Sequence, residues 1–279
     1  MATSTQLVAF TLDDFEARTG SAASIIRTIA GLYLRHEHAP VARTRILVLA
    51  TAAGVSAPTA QTAISRLADR GVLEAAGASS LQVTAEAQAM FARGDRRIFT
   101  PRQMADQELW CLVAYSLPET MRPLRHQVRK HFLQLGGGLV SAGLWIFPAY
   151  LREEVLQVLG ALEVRSYATV FTTQTPDFPE GAAQAARQWW DLGRLESLHS
   201  TFLASTAALA AAPGSPAAAY RGYVALVDAW RALPYLDPGL PDSMLPGTWP
   251  GRLSRERFLA LSRTYEPAAR QFARDLLGG

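Results

Sequence analysis

The sequence predicts an α+β protein made of an N-terminal winged helix-turn-helix, a ferredoxin-like α+β middle domain and an all-helical C-terminal domain. Three observations predict it. Before residue 85, three short helical patterns are followed by a hairpin pattern; from 109 to 173, strand and helix patterns alternate; beyond Pro176, helical periodicity dominates. The boundaries that follow are an N-terminal arm over 1–20, the winged helix over 21–95, the middle domain over 96–176 and a helical C-terminal domain over 177–279.

The first helix is expected over residues 24 to 35, where Ile25, Ile26, Ile29, Ala30, Leu32 and Tyr33 recur at helical spacing after Ser24, a capping residue. A second runs from about Thr44 to Ala53 and stops at Gly54, a residue that accepts a left-handed conformation. In the third, Ser56 and Pro58 mark the start, and Ala60, Ala63, Ile64 and Leu67 form the buried stripe. Its opposite side carries Thr59, Gln61, Thr62, Ser65 and Arg66, short or flexible hydrogen-bonding groups that suit close approach to base edges and phosphates in a major groove. Two helices joined by a tight Gly-containing turn are either a helix-turn-helix or an ordinary amphipathic hairpin with a solvated face. The continuation favours the first: Val72 to Glu74 and Leu81 to Val83 read as strands around a Gly/Ala/Ser turn, and Thr84 caps the next helix. The tip, Gly77 to Ser80, carries no basic side chain, so any wing contact uses backbone or hydroxyl groups.

From Gly94 to Pro101 the chain reads as a basic connection containing Arg96 and Arg97. Leu109 to Tyr115 is then an apolar strand, 121 to 135 a helix, Leu139 to Phe147 a strand, Leu151 to Leu162 a helix and Tyr167 to Thr173 a strand, a β-α-β-α-β order. Beyond Pro176, Trp189, Trp190, Leu192, Leu195, Leu198 and Phe202 suggest one amphipathic helix, 218 to 233 another and Ser254 to Leu277 a last. The proline- and aromatic-rich stretch from Leu233 to Arg252 reads as a rigid, packed connection.

Composition narrows the function classes. A chain of 279 residues that is 49% hydrophobic with one cysteine is globular, and that one cysteine excludes a disulfide framework and any CxxC zinc site. Asp13, Asp14 and Glu16 replace the basic start of a signal peptide, and the uncharged run 197–220 is Ala/Ser/Thr-rich and interrupted by Pro213 to Pro216, so a cytoplasmic protein with no membrane span is expected. Lys130 is the only lysine among 27 basic residues; the arginine bias fits a phosphate-bearing partner or the codon usage of a GC-rich genome. Residues 21 to 100 hold nine arginines against five acidic residues, and Arg43, Arg45, Arg96 and Arg97 are candidate phosphate contacts.

Chemistry has few footholds. No carboxylate closes the first strand of the middle domain, which ends Tyr115-Ser116, where a metal-dependent nuclease would hold its ion. Cys111 lies inside an apolar strand and reads as core, Gly136-Gly137-Gly138 lacks the remainder of a phosphate-binding loop and reads as a helix stop, and His36 and His38 sit in a loop better read as solvated than as metal-binding. No catalytic, metal or cofactor residue is assigned. Arg122, Arg125, Arg129 and Lys130 share one side of a helix with His126 close by, a stripe that could hold a nucleotide phosphate or DNA or be a solvated face.

Several spaced motifs in order carry a family resemblance. Thr62-Ala63-Ile64-Ser65-Arg66-Leu67, Arg96-Arg97-Ile98-Phe99, Tyr115-Ser116-Leu117-Pro118-Glu119 and Gly143-Leu144-Trp145-Ile146 resemble the PaaX family of transcriptional regulators. Leu233-Pro234-Tyr235-Leu236-Asp237-Pro238 and Leu245-Pro246-Gly247-Thr248-Trp249-Pro250-Gly251 extend the likeness over about residues 20 to 275. The resemblance implies a homodimeric repressor of an aromatic, phenylacetate-type catabolic operon that leaves its double-stranded DNA operator when an aryl-CoA or acyl-CoA thioester binds, with 177–279 as the effector and dimerisation domain. Gln61 stands where the family pattern has Arg, and the wing lacks a basic tip, so the operator sequence does not transfer. The rival reading is a ligand-binding or nucleolytic enzyme in which the winged helix is only an interaction module.

Overall fold

In the computed structural model, which describes residues 18–174, 176–209 and 212–278, Ser21 opens the first helix, α1 (Ala22–Leu32). Most of the expected N-terminal arm therefore lies outside the described residues. The Ser24 amide donates to Ser21 Oγ at 3.3 Å, so the cap falls three residues before the one expected. Ser24 is instead fully buried, and its hydroxyl finds an internal acceptor in Asp228.

A two-residue strand β1 (Val41–Ala42) leads into α2 (Arg43–Ala52), and α3 (Ala57–Asp69) follows after four residues. The turn between the two helices depends on Gly54, whose φ is +97°. With that left-handed residue in place, the Val55 amide reaches back to Ala50 O at 3.0 Å and closes the end of α2. β2 (Leu73–Ala75) and β3 (Ser80–Val83) form the expected antiparallel hairpin, and β1 pairs with the other edge of β3, giving the order β1-β3-β2. Thr84 Oγ1 accepts from Ala87 N at 3.1 Å and donates to Gly71 O at 2.6 Å, capping α4 (Ala85–Phe99) and tying it to the end of α3. The basic connection expected from Gly94 is thus the last turn and a half of a helix. Packing overrides the glycine there: Trp230 Nε1 donates to Ile98 O at 2.9 Å, and the Phe99 ring lies 6.2 Å from Phe258.

Packing groups the chain into two units whose segments interleave. The first contains residues 18–99, 202–232 and 253–278. Its later helices, α9 (Pro216–Trp230) and most of α11 (Gly251–Leu277), supply aromatic packing: Trp230 stacks on Phe258 at 4.8 Å, and Tyr220 Oη donates to Leu49 O at 3.1 Å. Asp228, 1% exposed, accepts from Gly20 N at 2.7 Å, from the hydroxyls of Ser24 and Thr28, and from Arg231 Nε. A buried carboxylate with this many donors is compensated where it stands, and it fastens the start of α1 to α9.

The second unit contains residues 100–201 and 233–252. In it β4 (Trp110–Tyr115), α5 (Arg122–Gln134), β5 (Gly138–Ser141), β6 (Leu144–Pro148), α6 (Arg152–Ala161) and β7 (Ala168–Thr173) follow one another. The sheet is antiparallel throughout, in the order β5-β6-β4-β7. The single strand expected over 139–147 is a hairpin, because the chain reverses at Gly143, where a Cβ would meet Tyr115 O at 2.7 Å. Cys111, Val113, Phe132, Trp145 and Phe147 form the core between one sheet face and the helices, while Trp110, Ile146 and Trp190 pack in a second core.

The three glycines after α5 explain its stop. Gly136 has φ +81° and lets Gly137 N reach Phe132 O at 2.8 Å, while a Cβ on Gly137 or Gly138 would lie 2.5 Å from the Phe147 or Trp190 ring. The helix expected from Trp189 to Phe202 is two, α7 (Ala182–Trp189) and α8 (Leu192–Ser205), broken at Trp190 and Asp191. Trp190 leaves the helical path to fill the space above Gly138 and donates to Gly136 O at 2.9 Å; Asp191 Oδ1 accepts from Arg194 N at 3.0 Å and starts α8. The proline-rich stretch is ordered and buried through Leu233–Tyr235 and Pro238–Pro241, and includes the short helix α10 (Leu233–Leu236). Among the described residues no helix is long and apolar enough to cross a membrane.

Candidate nucleic-acid interface

The residues of α3 divide by burial as their spacing predicts. Ala60, Ala63, Ile64 and Leu67 are buried, and Thr59, Gln61, Thr62, Ser65 and Arg66 are all exposed. At 100° per residue the exposed arc spans roughly 160°. Within it two strips differ. Thr59, Thr62, Arg66 and Arg70 line a cleft of about 630 Å³ whose other wall is Arg18 and the first residues of α1, Ser21, Ala22 and Ala23. Gln61 and Ser65 lie on the neighbouring strip, outside that cleft.

The hydroxyls on this face are held by their own helix. Thr62 Oγ1 donates to Pro58 O and Ser65 Oγ to Gln61 O, each at 3.2 Å, and Ser56 Oγ bonds Thr59 Oγ1 at 2.7 Å. Each still offers lone pairs outward, while Gln61 presents a full amide. The cleft adds charge: Arg18, Arg66 and Arg70 line it beside Ser21, Ala22 and Ala23 at the N-terminal end of α1, and Arg70 also has an intramolecular contact. It is suited to an anion. Sequence reasoning found Arg66 and missed Arg18 and Arg70; the position of Arg70 four residues after Arg66, in the same helical row, was the available signal.

The other predicted cations are placed elsewhere. Arg43 begins α2, half-buried, with its amide bound to Ser79 O in the wing tip at 2.9 Å. The Arg45 guanidinium crowds Gly278 at the end of α11, where a Cβ would come within 2.3 Å. Arg96 and Arg97 belong to the last turn of α4, and both already have intramolecular contacts. None of these four lines the α3 cleft.

On α5, in the second unit, Arg122, His126, Arg129 and Lys130 are exposed and Arg125 is half-buried. Two of these cations serve the fold. Arg125 donates to Leu117 O at 2.9 Å and pairs with Glu119, and the Arg129 guanidinium stands 6.0 Å from the Trp145 ring centroid. Cys111 is fully buried, and burial pushes its thiol up to about 11. His36 and His38 are exposed; burial of its ring and the adjacent Arg35 lower the pKa of His36. Among the described residues no group of three or more His, Cys, Asp or Glu gathers as for a metal ion.

Comparison with known proteins matches this chain in three successive segments. Residues 21–82 match the profile described as PaaX-like protein, 103–185 the PaaX protein central Cas2-like domain, and 190–275 the PaaX-like protein C-terminal domain. The chain belongs to the PaaX family. A curated relative, the transcriptional repressor PaaX of Escherichia coli (strain K12), is 24% identical over 267 residues, which cover 91% of this chain and 84% of that protein. Among solved structures, the uncharacterised protein Rv0674 from Mycobacterium tuberculosis shares the fold with a TM-score of 0.53 at 22% identity, over 86% of this chain and 96% of that one. The PaaX profiles follow one another along the chain, whereas the packing units interleave, so the last profile contributes to both units.

Proposed function

We propose that this PaaX-family protein is a DNA-binding transcriptional repressor and that α3 is its recognition helix. The observation that carries the reading is the exposed face of α3: an amide and hydroxyl strip beside a cleft lined by Arg18, Arg66 and Arg70. Base edges are read by groups such as Gln61 and Ser65, phosphates by guanidinium groups and helix N-termini. In this reading α1 to α4 with β1 to β3 form a winged helix-turn-helix, and the middle sheet, with its β-α-β-β-α-β order, is ferredoxin-like. Gln61, Thr62, Ser65 and Arg66 position or read the operator, with Thr59 at the edge of the face. The wing approaches DNA, if at all, through its backbone and the hydroxyls of Ser79 and Ser80. Family membership supports the further parts of the reading: a homodimer on a two-fold operator, and release by an acyl-CoA or aryl-CoA thioester of the phenylacetate-catabolic type. No catalytic step is assigned.

The test is an electrophoretic shift of the fragment upstream of the protein's own gene, titrated with salt. Specific binding whose logarithm falls linearly with the logarithm of salt concentration is expected, since phosphate contacts release counterions. Absence of a specific shift at low salt rejects the reading.

A further inference from the structure

Arg18 reaches the α3 cleft from a tight turn, and that turn is pinned from inside the first unit. Ser21 N donates to Arg18 O at 2.9 Å, so residues 18 to 21 close on themselves just before α1, and Gly20, at φ +79°, supplies the left-handed residue the reversal needs. No atom lies within 4 Å of where a Cβ on Gly20 would stand, so crowding does not hold the turn in place. The Gly20 amide does: it donates to Asp228 Oδ2 at 2.7 Å.

The anchor is charged and sealed from water. Asp228 Oδ1 accepts from the buried hydroxyls of Ser24 and Thr28, the latter at 3.0 Å, and from Arg231 Nε at 3.3 Å. Arg231, itself buried, also donates to Ser24 Oγ at 2.8 Å. Compared with apolar groups of similar volume, a buried ion pair adds little net stability; what it can add is direction, because each donor must reach a fixed oxygen. Here the donors come from the turn, from the first two turns of α1 and from the residue after α9, so one carboxylate fixes where α1 begins. Gly20 and Ser24, which it holds, flank Ser21, Ala22 and Ala23, the wall of the cleft that faces Thr59, Thr62, Arg66 and Arg70.

We propose that Asp228, paired with Arg231, is a positioning residue of the DNA interface: it touches no DNA, and it holds the 18–21 turn so that the Arg18 guanidinium shares one stretch of phosphate backbone with Arg66 and Arg70. This role rests on the DNA-binding reading above and adds to it a buried group on α9, far from α3 in the chain. With the anchor removed, Ile25, Ile26, Ile29 and Ala30 still bury the inner face of α1, but the turn before it is released and Arg18 is no longer presented to the cleft.

The experiment is a double-mutant cycle on the full chain, read by gel shift of the upstream fragment at several salt concentrations. Arg18→Ala alone should weaken binding about threefold to tenfold and lower the salt slope by about 1. Asp228→Val with Arg231→Met replaces the ion pair by apolar groups and keeps the core filled, while Gly20→Ala strains the turn from its open side without touching the core. Each should reproduce the loss seen in Arg18→Ala, in affinity and in slope, and adding Arg18→Ala to either should then weaken binding by less than about twofold more. A purely structural Asp228 would move only the thermal midpoint: the slope would stay, and Arg18→Ala would cost its full factor in both backgrounds. That result, or Arg18→Ala without effect on affinity and slope, overturns the positioning role and leaves the α3 face as the DNA-binding surface. The Asp228 and Arg231 double variant decides where circular dichroism shows it folded, and Gly20→Ala decides where it does not. Absence of a specific shift by the unmodified protein rejects the DNA reading and the positioning role together.

Discussion

Helices α3 and α5 are built alike and spend their polar faces differently. Both have thirteen residues, a proline in the first turn, one buried apolar face and a glycine with positive φ just past the end. On α5 the outer face is crowded with cations, yet Arg125 braces the preceding turn and Arg129 covers Trp145. On α3 the outer face is nearly uncharged, and its one helical Arg opens into a cleft that collects two more. In the proposed reading the density of positive charge along a helix is a poor guide to where a polyanion docks, and the opening of a cation into a cleft is a better one.

The comparison can be broken most directly at Gln61. Its replacement by Ala should remove about 1–3 kcal/mol of discrimination at one base-pair position, with non-specific affinity kept. Binding measured across single-base operator variants checks this; an unchanged preference at every position would leave Gln61 a mere surface amide. Next in size is Arg66→Ala, expected to weaken all sequences about tenfold and to lower the salt slope by about 1. The control on the other helix is Arg122→Ala with Lys130→Ala, expected to change neither; a larger loss there would reverse the roles of the two helices. The smallest effect is on stability. Arg125→Ala removes a bond to the Leu117 carbonyl at a half-exposed site and should cost about 1 kcal/mol in urea unfolding, with Arg129→Ala about half that and operator affinity unaltered.

Much of this was legible in the residues, for local reasons. Gly54 and Gly136 announced the ends of α2 and α5 because only a left-handed residue closes those turns, and Ala60, Ala63, Ile64 and Leu67 announced the inner face of α3. What escaped was set by distant partners. Ser24 reads as a cap until Asp228, far along the chain, makes it a buried donor. Trp190 reads as the middle of a helix until Gly138 leaves room for its ring, and Gly94 reads as a break until Trp230 and Phe258 hold the turn after it. The candidate site shows the same limit. The face of α3 follows from spacing, but the cleft needs Arg18 and the start of α1, more than thirty positions earlier in the chain.

The interleaving of the two units bears on how mutations in the gene will behave. A premature stop after codon 250 leaves every residue of α1 to α4 in place, yet it removes Phe258, against which Trp230 stacks, and Phe272, whose ring lies 5.4 Å from Tyr220. If the protein represses as proposed, such an allele will score as a loss of repression although α3 is intact. A cassette cut at residue 99 to transplant α1 to α4 will fail for the same reason, and a working chimaera must carry the last two segments of the first unit with it.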